Sequence, residues 1–312
     1  MNNMENSRKS RFQQTLAKPF SCIGCSIHRG ARVSMTVMPG EADTGYVFYR
    51  KDIANGQGEV AARWNTVSQT KLSTSVSNRF GVEVNTIEHL VAALYGCGID
   101  NARIVLNGPE VPIMDGSAKA FVESINMAGK KTLQRVRTAF VITKPIAVAA
   151  NGAVAMLVPS PVSEFEISIN FPKTAIGEQA FTTTLEHAFT KNDVTNARTF
   201  GFAQEISVLK RIGLAKGGTL ENALLVDGEK IINEGGLRYQ DEFVRHKVLD
   251  SIGDLALAGA TIVGKFIGNK SGHHLNNLLL REMMMQENNW IFTSTQQAEE
   301  NWSELVDYSL AV

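Results

Sequence analysis

The chain has 312 residues, 44% of them hydrophobic and 20% charged, with only 8 prolines. That composition suits a folded chain with room for about two domains and excludes a disordered or fibrous one. The 31 basic residues cancel the 31 acidic ones, and there are 3 cysteines. No global charge excess draws the chain to nucleic acid or an anionic membrane, and so few cysteines point to a reducing compartment such as a cytoplasm.

Residues 1–18 are polar, carry Arg8, Lys9 and Arg11, lack the apolar run of a secretory signal and read as a flexible tail. Cys22-Ile23-Gly24-Cys25 is a lone CxxC with no second pair to complete a zinc site, and reads as small residues beside a strand. Residues 32–37 alternate polar and apolar as a half-buried strand that Pro39-Gly40 stops. In residues 86–95, Ile87, Leu90, Val91 and Leu94 fall at helical spacing before Gly96 and Gly98. Residues 102–106 read as a buried strand, followed by the turns Gly108-Pro109 and Asp115-Gly116.

The charged, irregular stretch 130–137 marks a boundary, which gives domains at 13–130 and 138–298 with tails at 1–12 and 299–312. Beyond it, Phe140-Val141-Ile142 and residues 154–158 read as strands flanking the hairpin signal Asn151-Gly152. Phe165, Ile167, Ile169 and Phe171 alternate as a third strand. Phe202, Ile206, Leu209 and Ile212 predict a helix ending at Gly213, and the last two helices are expected at 242–258 and 274–286. The longest apolar stretch, 255–263, is far short of the roughly 18 residues of a spanning helix.

The halves echo one another. Ile104 lies 15 residues after His89 and Ile262 lies 16 after His246, each pair spanning a helix, a glycine and a strand. This suggests a duplicated α+β unit in which the two histidines face each other across a cleft.

Among six histidines, His246 is followed by Asp250 and Asp254 at i+4 and i+8, which places all three on one helical stripe. A histidine and an aspartate four apart can chelate one divalent ion, and the same stripe also fits a solvated face with a His–Asp hydrogen bond. Glu88-His89 reads in two ways as well: Asn85 and Glu88 as a capping box, or His89 as a third ligand with Glu88 as general base. His273, beside Gly272 at a helix start, can serve as a general acid if a carboxylate keeps it protonated, and Asp254 is the candidate. His187 and His274 read as surface residues.

Five motifs carry a resemblance. They are Thr86-Ile87-Glu88-His89-Leu90, the run from Gly98-Ile99-Asp100-Asn101-Ala102 through Met114-Asp115-Gly116-Ser117-Ala118, Ala197-Arg198-Thr199-Phe200-Gly201-Phe202, Asp241-Glu242-Phe243-Val244-Arg245-His246-Lys247, and Lys270-Ser271-Gly272-His273. In order, from about residue 15 to about residue 290, they resemble the UDP-3-O-acyl-N-acetylglucosamine deacetylase family, the zinc amidases of lipid A biosynthesis. The resemblance implies two similar two-layer α+β sandwiches with the active site between them. It implies zinc, with ferrous iron accepting the same ligands, held by His89, His246 and Asp250. Glu88 then matches the general base, His273 the general acid, Asp254 its partner, and Thr199 and Lys247 the oxyanion donors. Lys144, Lys270 and Phe165 match groups at the UDP end, and Phe200, Ile206 and Leu214 match the acyl passage. The implied partner is a UDP-acylaminosugar, in a Gram-negative cytoplasm with peripheral membrane proximity, and with no nucleic acid and no integral membrane segment.

Two positions depart from the pattern. Ser26-Ile27-His28-Arg29-Gly30 stands where Gly-Leu-His-Ser/Thr-Gly is usual, and Lys216 stands where an apolar residue is usual. They motivate an alternative, a non-catalytic or repurposed relative acting as a binding or regulatory protein, against which every matched catalytic position argues. A nucleic-acid-binding module is a third reading, which zero net charge and the lack of a basic stripe disfavour.

Overall fold

The computed structural model describes residues 11–311. In chain order the first half comprises β1 (Phe12–Leu16), β2 (Phe20–Cys25), β3 (Arg32–Pro39), β4 (Tyr46–Arg50), β5 (Glu59–Ala61), β6 (Val67–Gln69), β7 (Ser75–Ser77), β8 (Glu83–Val84), α1 (Glu88–Gly96), β9 (Ala102–Leu106), α2 (Lys119–Ala128) and β10 (Lys130–Val136). The alternation read in β3 is real: Val33, Met35 and Val37 are buried. α1 is apolar on every side, with Leu90, Val91, Ala92, Ala93 and Leu94 all fully buried, as befits a helix at the centre of the molecule.

The second half comprises β11 (Thr138–Ile142), β12 (Ile146–Ala150), β13 (Ala153–Val158), β14 (Ser163–Phe171), β15 (Gly177–Thr184), α3 (Leu185–Thr190), β16 (Phe200–Phe202), α4 (Ala203–Arg211), β17 (Leu224–Asp227), β18 (Lys230–Ile231), α5 (Glu242–Leu255), β19 (Thr261–Asn269), α6 (His273–Met285), β20 (Trp290–Ser294), α7 (Thr295–Glu300) and α8 (Trp302–Ala311).

The echo in the sequence is a duplication in the fold. The first sheet has the order β2-β3-β9-β4-β5, and the second contains β12-β13-β19-β14-β15. Corresponding neighbours agree in direction: the outer hairpins are antiparallel, and only β4 with β9 and β14 with β19 run parallel. In each unit one helix, α1 or α5, precedes the central strand and another, α2 or α6, follows it. The fold is therefore α+β, with helices against mixed sheets. β11 and β20 extend the second sheet along the first residues of β19.

α1 and α5 pack against each other. At Gly253 of α5 a methyl group would sit 2.1 Å from the Glu88 carbonyl oxygen, so only glycine lets the backbones approach this closely. That approach brings the two histidine-bearing helices together.

Several elements differ from expectation. The polar N-terminal run is ordered from Phe12, where β1 pairs antiparallel with β10, and residues 1–10 lie outside the described residues. The charged stretch 130–137 is that partner strand; most of its side chains face solvent, which hides a strand's alternation. The Asn151-Gly152 turn, with both φ positive, joins β13 to β12 rather than to the Phe140 strand, which pairs with β19 and β20. β12 is rich in alanine, so it carried little strand signal. Residues expected as a C-terminal tail form part of α7 and all of α8, so α5 and α6 are not the last helices.

Candidate active site

A cavity of about 430 Å³ opens where the two units meet. At its floor, His89 from α1 and His246 and Asp250 from α5 offer three ligand atoms within 4.8 Å of one another. The Asp250 Oδ1 lies 3.4 Å from His89 Nε2 and 3.3 Å from His246 Nε2, and the two imidazole rings meet edge to face with centroids 4.9 Å apart. Nδ1 of His246 lies 3.0 Å from the Ala197 carbonyl oxygen, which fixes a tautomer with Nε2 free as a lone-pair donor. Burial pushes His246 down to about 4, against the pull of Asp250, so its imidazole stays neutral. Burial also opposes the charge on Asp250, but the positive charge around it, the Lys247 ammonium in particular, outweighs burial and holds the carboxyl well below its ordinary range.

The donor set fits a metal. Asp250 Oδ1 is buried and has no hydrogen-bond partner among the described residues, although it faces two imidazole nitrogens. An orphaned buried carboxylate oxygen is costly unless a cation completes it. Two neutral imidazoles and one carboxylate are ligands that zinc and ferrous iron both take. The other Asp250 oxygen accepts a hydrogen bond from Lys247 Nζ at 2.7 Å.

Glu88 is the first residue of α1 and is buried, which raises its pKa. The capping-box reading fails: the residue at the helix N-cap is Ile87, Thr86 has a φ of 57°, and the Glu88 carboxylate accepts the Thr74 N–H at 3.0 Å. Across the cavity, His273 Nδ1 donates to Asp254 Oδ2 at 2.9 Å. Burial alone would lower the His273 pKa. The charge and hydrogen bond of Asp254, with Glu88 and Asp250 nearby, reverse this and lift it to about 9. Asp254 is itself held by Thr74 Oγ1 at 2.5 Å and Asn276 Nδ2 at 2.9 Å.

Thr199 lines the cavity on a loop that passes close to Gly116, with its N–H bonded to the Gly116 carbonyl. Gly116 has a φ of 84°, and a methyl group there would meet the Asn222 carbonyl oxygen at 2.1 Å. Arg198 and the buried Glu242 tie the same loop to the start of α5 through a 2.8 Å ion pair. The apolar wall includes Phe200, Phe202, Ile206, Leu209, Leu220 and Leu224, and the Phe200 ring lies 6.4 Å from that of His246.

The profile of the UDP-3-O-acyl N-acetylglycosamine deacetylase family matches residues 13–285. The chain belongs to this family. Among its relatives, a UDP-3-O-acyl-N-acetylglucosamine deacetylase of Phenylobacterium zucineum (strain HLK1) is 43% identical over 279 residues, covering 89% of this chain and 95% of that one. The protein of the same description from Citrifermentans bemidjiense is 44% identical over 273 residues, covering 88% and 89%, and that from Syntrophus aciditrophicus (strain SB) is 39% identical over 283 residues, covering 91% and 89%. The family is one of metalloenzymes, in keeping with the His89–His246–Asp250 cluster.

The structure thus brings Glu88, His89, Thr199, His246, Lys247, Asp250 and His273 to one cavity, with Asp254 directly behind His273. Phe200 and Ile206 line it too. Four expected substrate contacts fall elsewhere. Phe165 is 4% exposed and packs on Phe266 in the core, so its face is not offered to a base. Leu214 lines a neighbouring cavity, because the chain reverses at Gly213 with a φ of 90°. Lys144 follows β11, its N–H on the Asn289 carbonyl, and Lys270 is exposed just before α6; neither lines the catalytic cavity. Arg29 and Lys216 line the neighbouring cavity with Leu214.

Sequence reasoning missed Thr74, which touches both Glu88 and Asp254, because nothing in Ser73-Thr74-Ser75 marks it. Asn276 was visible in principle, three residues after His273 on one helix face. Among the described residues, no helix is long and apolar enough to cross a membrane.

Proposed function

We propose that this chain hydrolyses the N-acetyl group of UDP-3-O-(3-hydroxyacyl)-N-acetylglucosamine, giving acetate and the free amine, as the committed step of lipid A biosynthesis in a Gram-negative cytoplasm. The observation that supports it best is the pairing of an orphaned Asp250 oxygen between two histidines with a buried acid–base pair, Glu88 and His273, over one cavity. We read residues 13–130 and 138–298 as the two domains that meet there, with zinc as the metal.

When bound, zinc supplies Lewis acidity, polarising the acetyl carbonyl and making water easier to deprotonate. His89, His246 and Asp250 would hold it. Glu88, made more basic by burial, takes the proton from water as the oxygen attacks the carbonyl carbon. The Thr199 hydroxyl and Lys247 ammonium line the cavity where negative charge develops on the former carbonyl oxygen. His273 engages Asp254 through Nδ1, which leaves Nε2 to protonate the amide nitrogen as the C–N bond breaks. Without that proton the leaving group is an amide anion, so the acid is essential. The apolar wall of Phe200, Ile206, Leu209 and Leu224 suits the 3-O-acyl chain.

Metal analysis of purified protein with an acetate-release assay on the UDP-sugar tests this. One zinc per chain and acetate release are expected, with both lost in His246→Ala; a full complement of metal without release at high enzyme concentration refutes deacetylation, and stoichiometric iron refutes zinc.

A further inference from the structure

A second cavity of about 610 Å³ adjoins the catalytic one, and His28 lines both. Arg29, Lys71 and Lys216 project from three different loops onto it, beside Ser73 and Ser75, and Glu83 is the one carboxylate in its wall. Among the described residues, none of the three cations has a carboxylate within ion-pairing distance.

The loops that carry two of these cations, Arg29 and Lys216, are held side by side by the backbone. The Lys216 N–H donates to the His28 carbonyl at 3.0 Å and the Gly217 N–H to the Ile27 carbonyl at 3.0 Å. The loop carrying Arg29 is anchored from beneath, where the fully buried Glu110 accepts the His28 N–H at 2.8 Å and the Arg29 N–H at 3.1 Å. Like charges held together without a counter-ion repel one another, and the repulsion is relieved when an anion bridges them. The Nε2 of His28, in the wall between the cavities, is buried and lacks a hydrogen-bond partner.

We propose that this second cavity binds a phosphate group. Three cations and one carboxylate leave a charge of two, 3 − 1, which matches a phosphate monoester of about −1.5 to −2 at neutral pH. Its three terminal oxygens match three cationic side chains from separate loops, with the Ser73 and Ser75 hydroxyls as further donors. The hydrogen bonds between the Arg29 and Lys216 loops place the backbone of both before the ligand arrives, which lowers the cost of binding. The site is distinct from the metal cluster and does not depend on the deacetylase reading.

Calorimetric titration of the metal-loaded protein with inorganic phosphate tests the assignment, alongside co-sedimentation with phosphatidylcholine vesicles carrying phosphatidic acid. The proposal expects salt-sensitive phosphate binding that weakens about tenfold or more in the double variant Arg29→Ser, Lys216→Leu and persists in His246→Ala, which disables the metal site. Both substituted residues are exposed, so an unchanged melting temperature is expected, and Lys71→Met gives an independent second variant. Vesicle binding that the double variant loses identifies a lipid phosphate; binding of inorganic phosphate without vesicle binding identifies a soluble phosphate ester. Absence of both, or binding insensitive to all three substitutions, overturns the proposal.

Discussion

Replacing Asp254 by Asn removes one charge and keeps the shape. The Asn oxygen can still accept from His273 Nδ1 and Asn276 Nδ2, and the Thr74 hydroxyl can turn to accept from the new amide. With Asp254 present, His273 titrates near 9; at pH 7.5 that leaves about 97% of it protonated. Asp254 is the strongest influence raising this group, so without the carboxylate its value falls from about 9 toward the ordinary 6.5, with Glu88 and Asp250 still pulling upward against burial. A fall all the way to 6.5 leaves about 10% charged at pH 7.5, so kcat/KM drops by up to about tenfold. A divalent cation in the His89–His246–Asp250 cluster adds positive charge nearby, so about 9 is the upper bound for the basic limb of the wild-type profile. The assay is kcat/KM for acetate release across pH 5 to 10, with metal content measured in parallel. The basic limb should move down from about 9 toward about 6.5, and the deficit should shrink as pH falls. An unmoved limb, or a loss independent of pH at full metal content, would refute the assignment of His273 as the acid tuned by Asp254. Stability follows the same sign: the folded value is raised, so the pair's contribution is complete below about 6.5 and is lost as pH rises through about 9. The gap in Tm between metal-free wild type and variant should close over that window.

Two further outcomes follow from single contacts. Glu88→Gln should keep stoichiometric metal, because Glu88 is not among the three clustered ligands, while kcat falls by about 10² to 10⁴; loss of metal instead would make Glu88 a ligand. Gly253→Ala puts a methyl group 2.1 Å from the Glu88 carbonyl, so α1 and α5 must separate. Urea melts should show a loss of about 1–3 kcal/mol together with weaker metal binding, and a variant normal in both would show that the helices have room.

How much of this was legible depended on which residues share an element. His246, Asp250 and Asp254 lie on one helix, so their spacing carried the geometry directly, whereas His89 joined them through the echo between halves, its neighbour Glu88 and the family resemblance. The Glu88 environment was not legible, because it comes from Thr74, fourteen residues away on an unmarked loop, and from a helix crossing that hinges on one glycine. Phe165 is instructive in the opposite direction. Its alternation with Ile167 and Ile169 already placed it on the inward face of a strand, and burial follows from that parity. Its assignment to a base-stacking role rested on resemblance alone. Leu214 sits past the end of α4, where a left-handed glycine turns the chain, and helical periodicity carries no information across such a reversal.

The duplication accounts for the location of the site and for its asymmetry. Equivalent helices α1 and α5 meet at the interface of the two units, so each presents a histidine to the same space. A strictly repeated sequence would give a matched pair of faces; here α1 contributes Glu88 beside its histidine, while α5 contributes Asp250 one turn on and Asp254 another turn on. Both units also carry an insertion at the same topological point, between the fourth strand of the unit and its first helix: β6–β8 in one, α3 through β18 in the other. Because the first helices face each other, insertions that precede them necessarily flank the site. The first supplies Leu72 to the catalytic cavity and Lys71 to its neighbour; the second supplies Phe200, Ile206 and Leu224 to the one and Lys216 to the other. Substitutions in these insertions therefore alter what the clefts accept without touching the helices that carry the reaction.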